Sequence, residues 1–386
     1  MSRRCCTLLL TNLLLSFCIF AQRTVGQDKP IPIEGAPGQI RFDIVTCGKP
    51  LHAGVLCGSL AGNPAFELFD VIKGARVAKL TVPRVGDTYV DMNRDGSRAA
   101  FWSPMQDSDG KVSIWSLNDG KSVIKDWEPY PAKVKEKGGL ALPILGWVYL
   151  LDEDKVLTFG GGGLDFWSMP DMKHLHRIES KVEDHGAGIN YFAHRPTNFA
   201  ITHDRNVFVR DAGPWGYEFF DSKTFKAVGM TASMRDHGAY ANKWNLAIRP
   251  DGKEMAASFQ LRTRKETSTR WARWSIPSGK LISLSAEPIK DKDFKLTGPV
   301  CYWGEKHLLI FDGNRFGFSV MDLEKNTIVR TAKLAVTGRF ATSIADDRLF
   351  FVTTGRDSTL GRVILPRSDL AGEPKEWKIQ VDGTVN

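Results

Sequence analysis

The sequence predicts an all-β chain folded as a seven-bladed β-propeller of four-stranded antiparallel blades, and three observations carry that expectation. First, a strand-turn-strand unit, clearest in VSIWSLNDGKSVIKDW from Val112, recurs along the chain. The place of Trp115 is filled in turn by Phe69, Trp115, Trp167, Phe220, Trp274, Met321 and Leu365, a period of roughly 49 residues of the kind that marks repeat architectures. Second, each unit is preceded by two further alternating apolar segments, which makes four strands per repeat. Third, no stretch long enough for a helix carries a helical period. Twisted four-stranded sheets in this number leave exposed edges unless they pack radially, and radial packing buries both faces of each sheet.

The chain has 386 residues and a formal net charge of +8. Arg3 and Arg4 precede an apolar run from Leu8 to Phe20. This is the charged start and short apolar core of an export signal, too short and too early for a membrane span. Cleavage after Ala21 or Gly26 is expected, with an uncleaved anchor as the other reading. The organisation expected is a signal over 1–26, a flexible leader over 27–38 and a single propeller domain over 39–386, with a periplasmic or secreted destination and no membrane span after cleavage. Loss of Arg3, Arg4 and Arg23 lowers the net charge to +5, a balance that permits an acidic partner without demanding one. Cys47, Cys57 and Cys301 remain. Cys47 and Cys57 can close a short loop in an oxidising compartment, or all three can be unpaired core thiols. No CxxC pair is present, so neither a zinc ribbon nor covalent haem is indicated, and no cofactor or metal is expected.

Within the repeats, TYVDM from Thr88, the turn Asn93 to Gly96, and SRAAFW from Ser97 set the pattern. Later copies read GWVYL then KVLTFG, INYFA then NFAIT, WNLAI then KEMAASF, PVCYW then KHLLIF, and FATSI then RLFFV. The turns between them are polar and rich in turn formers. Two closures of the ring are open. IRFDIV from Ile40 is either the first strand of the first blade or a partner of EWKIQV from Glu376.

The turns RPDGKEMAAS and NRDGSRAAFW, followed by RWSIPSGKLI and IWSLNDGKSV, resemble the WD40/YVTN-type β-propeller superfamily in a divergent, exported bacterial form, over Gln39 to Val381. The Trp-Asp pair of that family survives as Phe69-Asp70, Phe220-Asp221 and Met321-Asp322, while Trp115, Trp167 and Trp274 are followed by Ser. The resemblance implies that loops joining the second and third strands, and those joining one blade to the next, share one face of the disc.

Those loops carry the candidate site. Asp184-His185-Gly186-Ala187 and Asp236-His237-Gly238-Ala239 are the same tetrapeptide at equivalent positions. His185 and His237 can act as a metal-binding or acid-base pair, or can serve hydrogen bonds within their own blades, as the resemblance implies. The LRTRKETSTRWAR segment brings Arg262, Arg264 and Arg270, which with Arg205, Arg210, Arg315 and Arg356 are expected to ring a positive mouth suited to carboxylate, sulfate or phosphate. The alternative is a solvated charged rim. Trp215 can stack on a sugar ring or pack in the core. The 128–146 insertion is longer than a linker needs and is expected to cap the mouth.

Gly160 to Gly163 lacks the Lys-Ser/Thr and the helix of a phosphate loop, so a tight hairpin is expected. No HExxH, GxSxG or kinase-like set occurs. The function expected is a non-enzymatic binding or interaction module for a protein, acidic small-molecule or glycan partner, with nucleic acid disfavoured. The alternative is a propeller hydrolase or lyase with its site at the central channel mouth.

Overall fold

The computed structural model describes residues 31–32, 40–47, 52–59, 65–70, 73, 75–82, 89–102, 110–130, 145–152, 154–160, 163–179, 199–202, 205–211, 216–231, 239–249, 251–262, 267–285, 300–303, 305–312, 317–325, 327–334, 340–345, 348–353, 359–364 and 375–379. Among these there is no helix. The chain is an all-β propeller whose strands form six four-stranded antiparallel sheets and one sheet of five strands.

In chain order, sheet 1 comprises Ile40–Cys47, His52–Ser59, Ala65–Asp70 and Ala75–Thr81. Sheet 2 comprises Tyr89–Met92, Arg98–Trp102, Val112–Ser116 and Ser122–Trp127. Sheet 3 has Trp147–Asp152, Lys155–Gly160, Gly163–Ser168 and Lys173–Glu179. Sheet 4 has Phe199–Ile201, Val207–Asp211, Tyr217–Asp221 and Ala227–Met230. Sheet 5 has Ala239–Ile248, Glu254–Arg262, Thr267–Ser275 and Leu281–Leu284. Sheet 6 has Val300–Trp303, His307–Asp312, Gly317–Asp322 and Thr327–Leu334. Sheet 7 has Phe340–Ala345, Arg348–Thr353 and Thr359–Ile364.

Burial follows from radial packing. Among the described side chains of sheets 1 to 5, those of the fourth strand are the most exposed and those of the second and third are largely buried. The core lies between sheets. Leu56, Phe66 and Leu68 of sheet 1 pack with Val90, Met92 and Phe101 of sheet 2, and Trp115 lies against that cluster. Trp102 of sheet 2 meets Trp147 of sheet 3 edge-on at 4.8 Å between ring centroids. Aromatic pairs of this geometry add to the gain from burial alone.

The repeat position of Trp115 has a structural meaning beyond packing. In sheets 1 to 6 the third and fourth strands shift register beside it, between Leu68/Phe69, Ile114/Trp115, Phe166/Trp167, Phe219/Phe220, Arg273/Trp274 and Val320/Met321. Each shift leaves one extra residue in the fourth strand, a β-bulge. The extra residues are Val77, Val123, Leu175, Val228, Ile282 and Val329, all aliphatic. Four of them, Val77, Leu175, Val228 and Ile282, are among the five exposed large hydrophobic residues found among the described residues.

The first and last described strands both lie on outer edges. Ile31 and Pro32 pair antiparallel with Leu360 and Thr359, so a residue pair from the expected leader supplies the fourth strand of sheet 7. Ile40–Cys47 is the first strand of sheet 1 and lies against the first strand of sheet 7. Lys375–Ile379 adds to sheet 6 as a fifth strand, parallel to Arg330–Leu334. The alternative pairing of IRFDIV with EWKIQV does not form. The hairpin register also rules out the Cys47 to Cys57 bridge. Cys47 sits opposite His52 and Cys57 opposite Phe42. That places the two about five strand residues, roughly 16 Å, apart, far beyond disulfide reach.

One repeat differs from the expected register. NFAIT, expected as a second strand, supplies Phe199–Ile201 as the first strand of sheet 4, and Val207–Asp211 is the second. The expected INYFA strand lies outside the described residues.

Candidate functional site

Antiparallel connectivity sorts the strand ends onto two faces. The ends joining first to second and third to fourth strands form a turn face. The ends joining second to third strands, and one sheet to the next, form a loop face.

On the turn face the chain closes tightly. Asp221 accepts hydrogen bonds from the backbone N–H of Lys223 at 3.0 Å and of Thr224 at 2.6 Å, and this holds its carboxyl below the usual range. Asp70 and Asp322 do the same at equivalent positions, accepting from Lys73 N at 2.9 Å and Lys325 N at 3.0 Å. Where Ser replaces Asp, the hydroxyl stays at the same turn: Ser168 donates to Lys173 O at 3.4 Å and Ser275 to Lys280 O at 3.3 Å. Gly279 has a φ of +70°, and a Cβ there would stand 2.0 Å from Met230 O. Only glycine fits that approach of sheet 5 to sheet 4.

Two buried charge clusters brace neighbouring elements. In sheet 5 Glu254, 3% exposed, accepts from Arg273 Nε at 2.5 Å, Arg249 Nη1 at 3.1 Å and Tyr302 Oη at 2.8 Å. Tyr302 belongs to sheet 6, so the cluster joins two sheets. Burial and the Glu254 charge push the Tyr302 phenol well above its ordinary value. In sheet 3 Asp165, 2% exposed, accepts from Tyr130 Oη at 2.7 Å, His174 Nε2 at 2.8 Å and Arg177 Nη1 at 2.6 Å. Thr158 Oγ1 lies 2.9 Å from Tyr130 Oη and accepts from Trp167 Nε1 at 2.8 Å. Burial, then Asp165, raises the Tyr130 phenol as well.

The second cluster bears on the loop face, because Tyr130 stands at the start of the 128–146 insertion. At the far end Leu145 is buried and Gly146 N donates to Phe159 O at 2.7 Å. Both feet of the insertion are thus fixed to sheet 3. Two further segments start from a hydroxyl latch. Tyr217 N donates to Thr231 Oγ1 at 2.9 Å, and Thr231 N donates back to Tyr217 O at 2.9 Å. In sheet 5 Trp271 N donates to Ser285 Oγ at 3.1 Å, and Ser285 N returns to Trp271 O at 2.9 Å. Thr231 and Ser285 each follow a fourth strand and open the connection to the next sheet. The sequence reading missed both, although a hydroxyl residue just after the repeat's last strand was a visible signal.

The predicted arginines do not all share a face. Arg262 ends the second strand of sheet 5 opposite Thr267, at the loop face. Arg270, half-buried, donates from Nη1 to Ser285 O at 3.2 Å and so reinforces a latch. Arg205 is a correction. It lies in the turn between the first and second strands of sheet 4, on the turn face, with a φ of +57°. Its guanidinium donates to Leu150 O and, at 3.0 Å, to Met92 O, with the Asp91 carboxylate 3.9 Å away. Asp91 in turn accepts from Leu150 N at 2.8 Å. Arg205 therefore joins the first strands of sheets 2 and 3 to sheet 4. Its misplacement follows from the register of NFAIT: one strand too far along, the turn at 202–206 reads as a loop-face connection. Arg210 is instead in a strand, the second of sheet 4, forked on Glu218 at 2.6 and 2.8 Å and donating to Glu179 O at 2.8 Å. Arg264, Arg315, Arg356, His185, His237 and Trp215 lie outside the described residues. Among the described residues no group of three or more His, Cys, Asp or Glu side chains could hold a metal ion.

No family model matches the sequence, and no curated protein matches it either. Solved structures do. Hsv2p from Kluyveromyces lactis superposes with a TM-score of 0.55 at 10% identity, over 89% of this chain and 97% of that one. Hsv2 from Kluyvelomyces marxianus gives 0.55 at 11%, over 89% and 98%. The β-propeller domain of Cps50 (Swd1) from Myceliophteria thermophila gives 0.54 at 11%, over 86% and 100%. These neighbours are WD40 β-propeller domains, and at such identities the likeness establishes the fold of this chain and nothing narrower.

Proposed function

We propose that the chain is an exported, seven-bladed, non-enzymatic binding module that engages a protein or an acidic ligand through its loop face. The observation that carries this reading is the anchoring of that face. The connections after sheets 2, 4 and 5 leave from Tyr130, Thr231 and Ser285, each tied by side-chain hydrogen bonds to the sheet beneath. A rigid scaffold presenting irregular connections is the usual architecture of a recognition surface. The propeller neighbours support an interaction module in general terms, and the charged and apolar N-terminal pattern supports export.

The ligand class rests on Arg262, at the loop-face end of sheet 5, and on Arg264, two residues further along the sequence. The test is a glycan and polyanion binding screen on the chain from Gln27 onward, with an Arg262→Ala, Arg264→Ala variant beside it. Binding of acidic probes that weakens in the variant supports the reading. Equal binding by both chains sinks the basic rim.

A further inference from the structure

The outer edges of the sheets are not alike, and the difference marks one of them as a site. An outer strand presents a row of unpaired backbone groups that invites another strand. In sheets 1 to 6 the aliphatic bulge interrupts that row near the turn face, where an added strand could not keep register. Past the bulge the edge is regular again in sheets 1 and 3 to 6, whereas sheet 2 shifts register a second time before Trp127. In sheet 6 this regular stretch is Arg330–Leu334, directly after the bulged Val329. It is the stretch that carries Lys375–Ile379, in the register Arg330 to Lys375 through Leu334 to Ile379.

This fifth strand is unlike the rest of the fold. Sheet 6 is already complete with four antiparallel strands, and the addition is parallel, a pairing slightly less stable per residue. In the sequence it follows sheet 7, whose own outer position is held by Ile31 and Pro32. It is joined to sheet 7 through 365–374, a segment bearing Pro366 and Pro374. A short strand added to a sheet that is already complete is the type of element that identical chains exchange at low cost, since every contact made within one chain is remade between two.

We propose that the outer edge of sheet 6 at Arg330–Leu334 is a strand-acceptor site, and that it takes the Lys375–Ile379 strand of a second copy of this chain. This surface lies on the circumference and is independent of the loop-face reading above. It supplies a route to pairing that leaves the loop face open. Main-chain hydrogen bonds provide the affinity, as in other strand additions.

Two measurements test it. A chain ending at Gly372 exposes the edge and should bind a fluorescent peptide spanning Glu373 to Asp382 with one-to-one saturation, at least about tenfold more tightly than the full chain does. A peptide carrying Trp377→Pro and Lys378→Pro cannot donate from either side of the strand and should not bind. The full chain, concentrated and incubated in mild denaturant, should give a dimer in size exclusion with light scattering, and the chain ending at Gly372 should give none. If the shortened chain keeps its melting transition yet ignores the peptide, there is no acceptor site. If the peptide binds but the full chain stays monomeric throughout, exchange between copies is refuted.

Discussion

The two faces of this propeller are held by different means. On the turn face the chain reverses within a few residues, and the polar groups are consumed locally: Asp70, Asp221 and Asp322 accept from backbone N–H groups of their own turns. On the loop face the connections from sheets 2, 4 and 5 to the next sheet are longer, and among the described residues polar side chains hold their feet, through Tyr130, Thr231 and Ser285. The contrast teaches where sequence can vary. A turn that satisfies its own backbone leaves little room for insertion, whereas a loop pinned at the base tolerates one beyond the pin.

The largest expected effect breaks a loop-face anchor. Asp165→Ala removes the buried acceptor that Tyr130, His174 and Arg177 share, leaving Arg177 on Glu179 and Tyr130 beside Thr158, and loss of one partner of a buried ion pair costs about 3–5 kcal/mol. Denaturant unfolding monitored by tryptophan fluorescence measures it. The change should also expose the 128–146 insertion to limited proteolysis, while the turn face stays protected.

The turn face breaks through its backbone. Gly279→Ala meets Met230 O and a left-handed φ together, with an expected cost of about 3 kcal/mol and no change in proteolysis at 128–146. A smaller loss should follow from Arg205→Ala. Its charge-assisted bonds to Leu150 O and Met92 O, across three sheets, are worth about 2 kcal/mol. If that variant instead weakened polyanion binding and kept full stability, Arg205 would belong to the ligand surface after all.

The latches are smaller again. Thr231→Val removes one hydroxyl acceptor and should cost about 1 kcal/mol, with faster amide exchange at Tyr217. The least effect is a slope. Because burial raises the Tyr302 phenol above its unfolded value, its contribution is full below about pH 10 and declines as pH rises further, where the unfolded chain releases that proton first. Stability of the wild type should therefore fall more steeply above that pH than that of Tyr302→Phe. Parallel slopes would contradict the tie between sheets 5 and 6.

Much of the fold was legible in the sequence because the repeat is written in residues that do mechanical work. The Trp115 position is where the outer strand bulges, and the residue after it closes the turn. Reading failed where spacing was uneven. In sheet 4 the alternation of NFAIT fitted a first or a second strand equally well, and the wrong choice carried Arg205 to the wrong face. Ring closure was illegible for a plainer reason: Ile31 and Pro32 are too few residues to show a period. The charge clusters around Asp165 and Glu254 also left no local signal, since Tyr130 reaches the first from a connection and Tyr302 the second from another sheet, across 35 and 48 residues of chain.

The comparison of faces is tested most directly by removing equal charge from each. Heparin affinity should be measured by surface plasmon resonance for Arg262→Ala, Arg264→Ala and for Lys253→Ala, Lys280→Ala, the latter pair being exposed in turn-face turns of the same sheet. The loop face as the binding surface predicts a loss of affinity of about tenfold or more in the first pair and wild-type affinity in the second. Equal losses in both, or loss in the lysine pair alone, would contradict it.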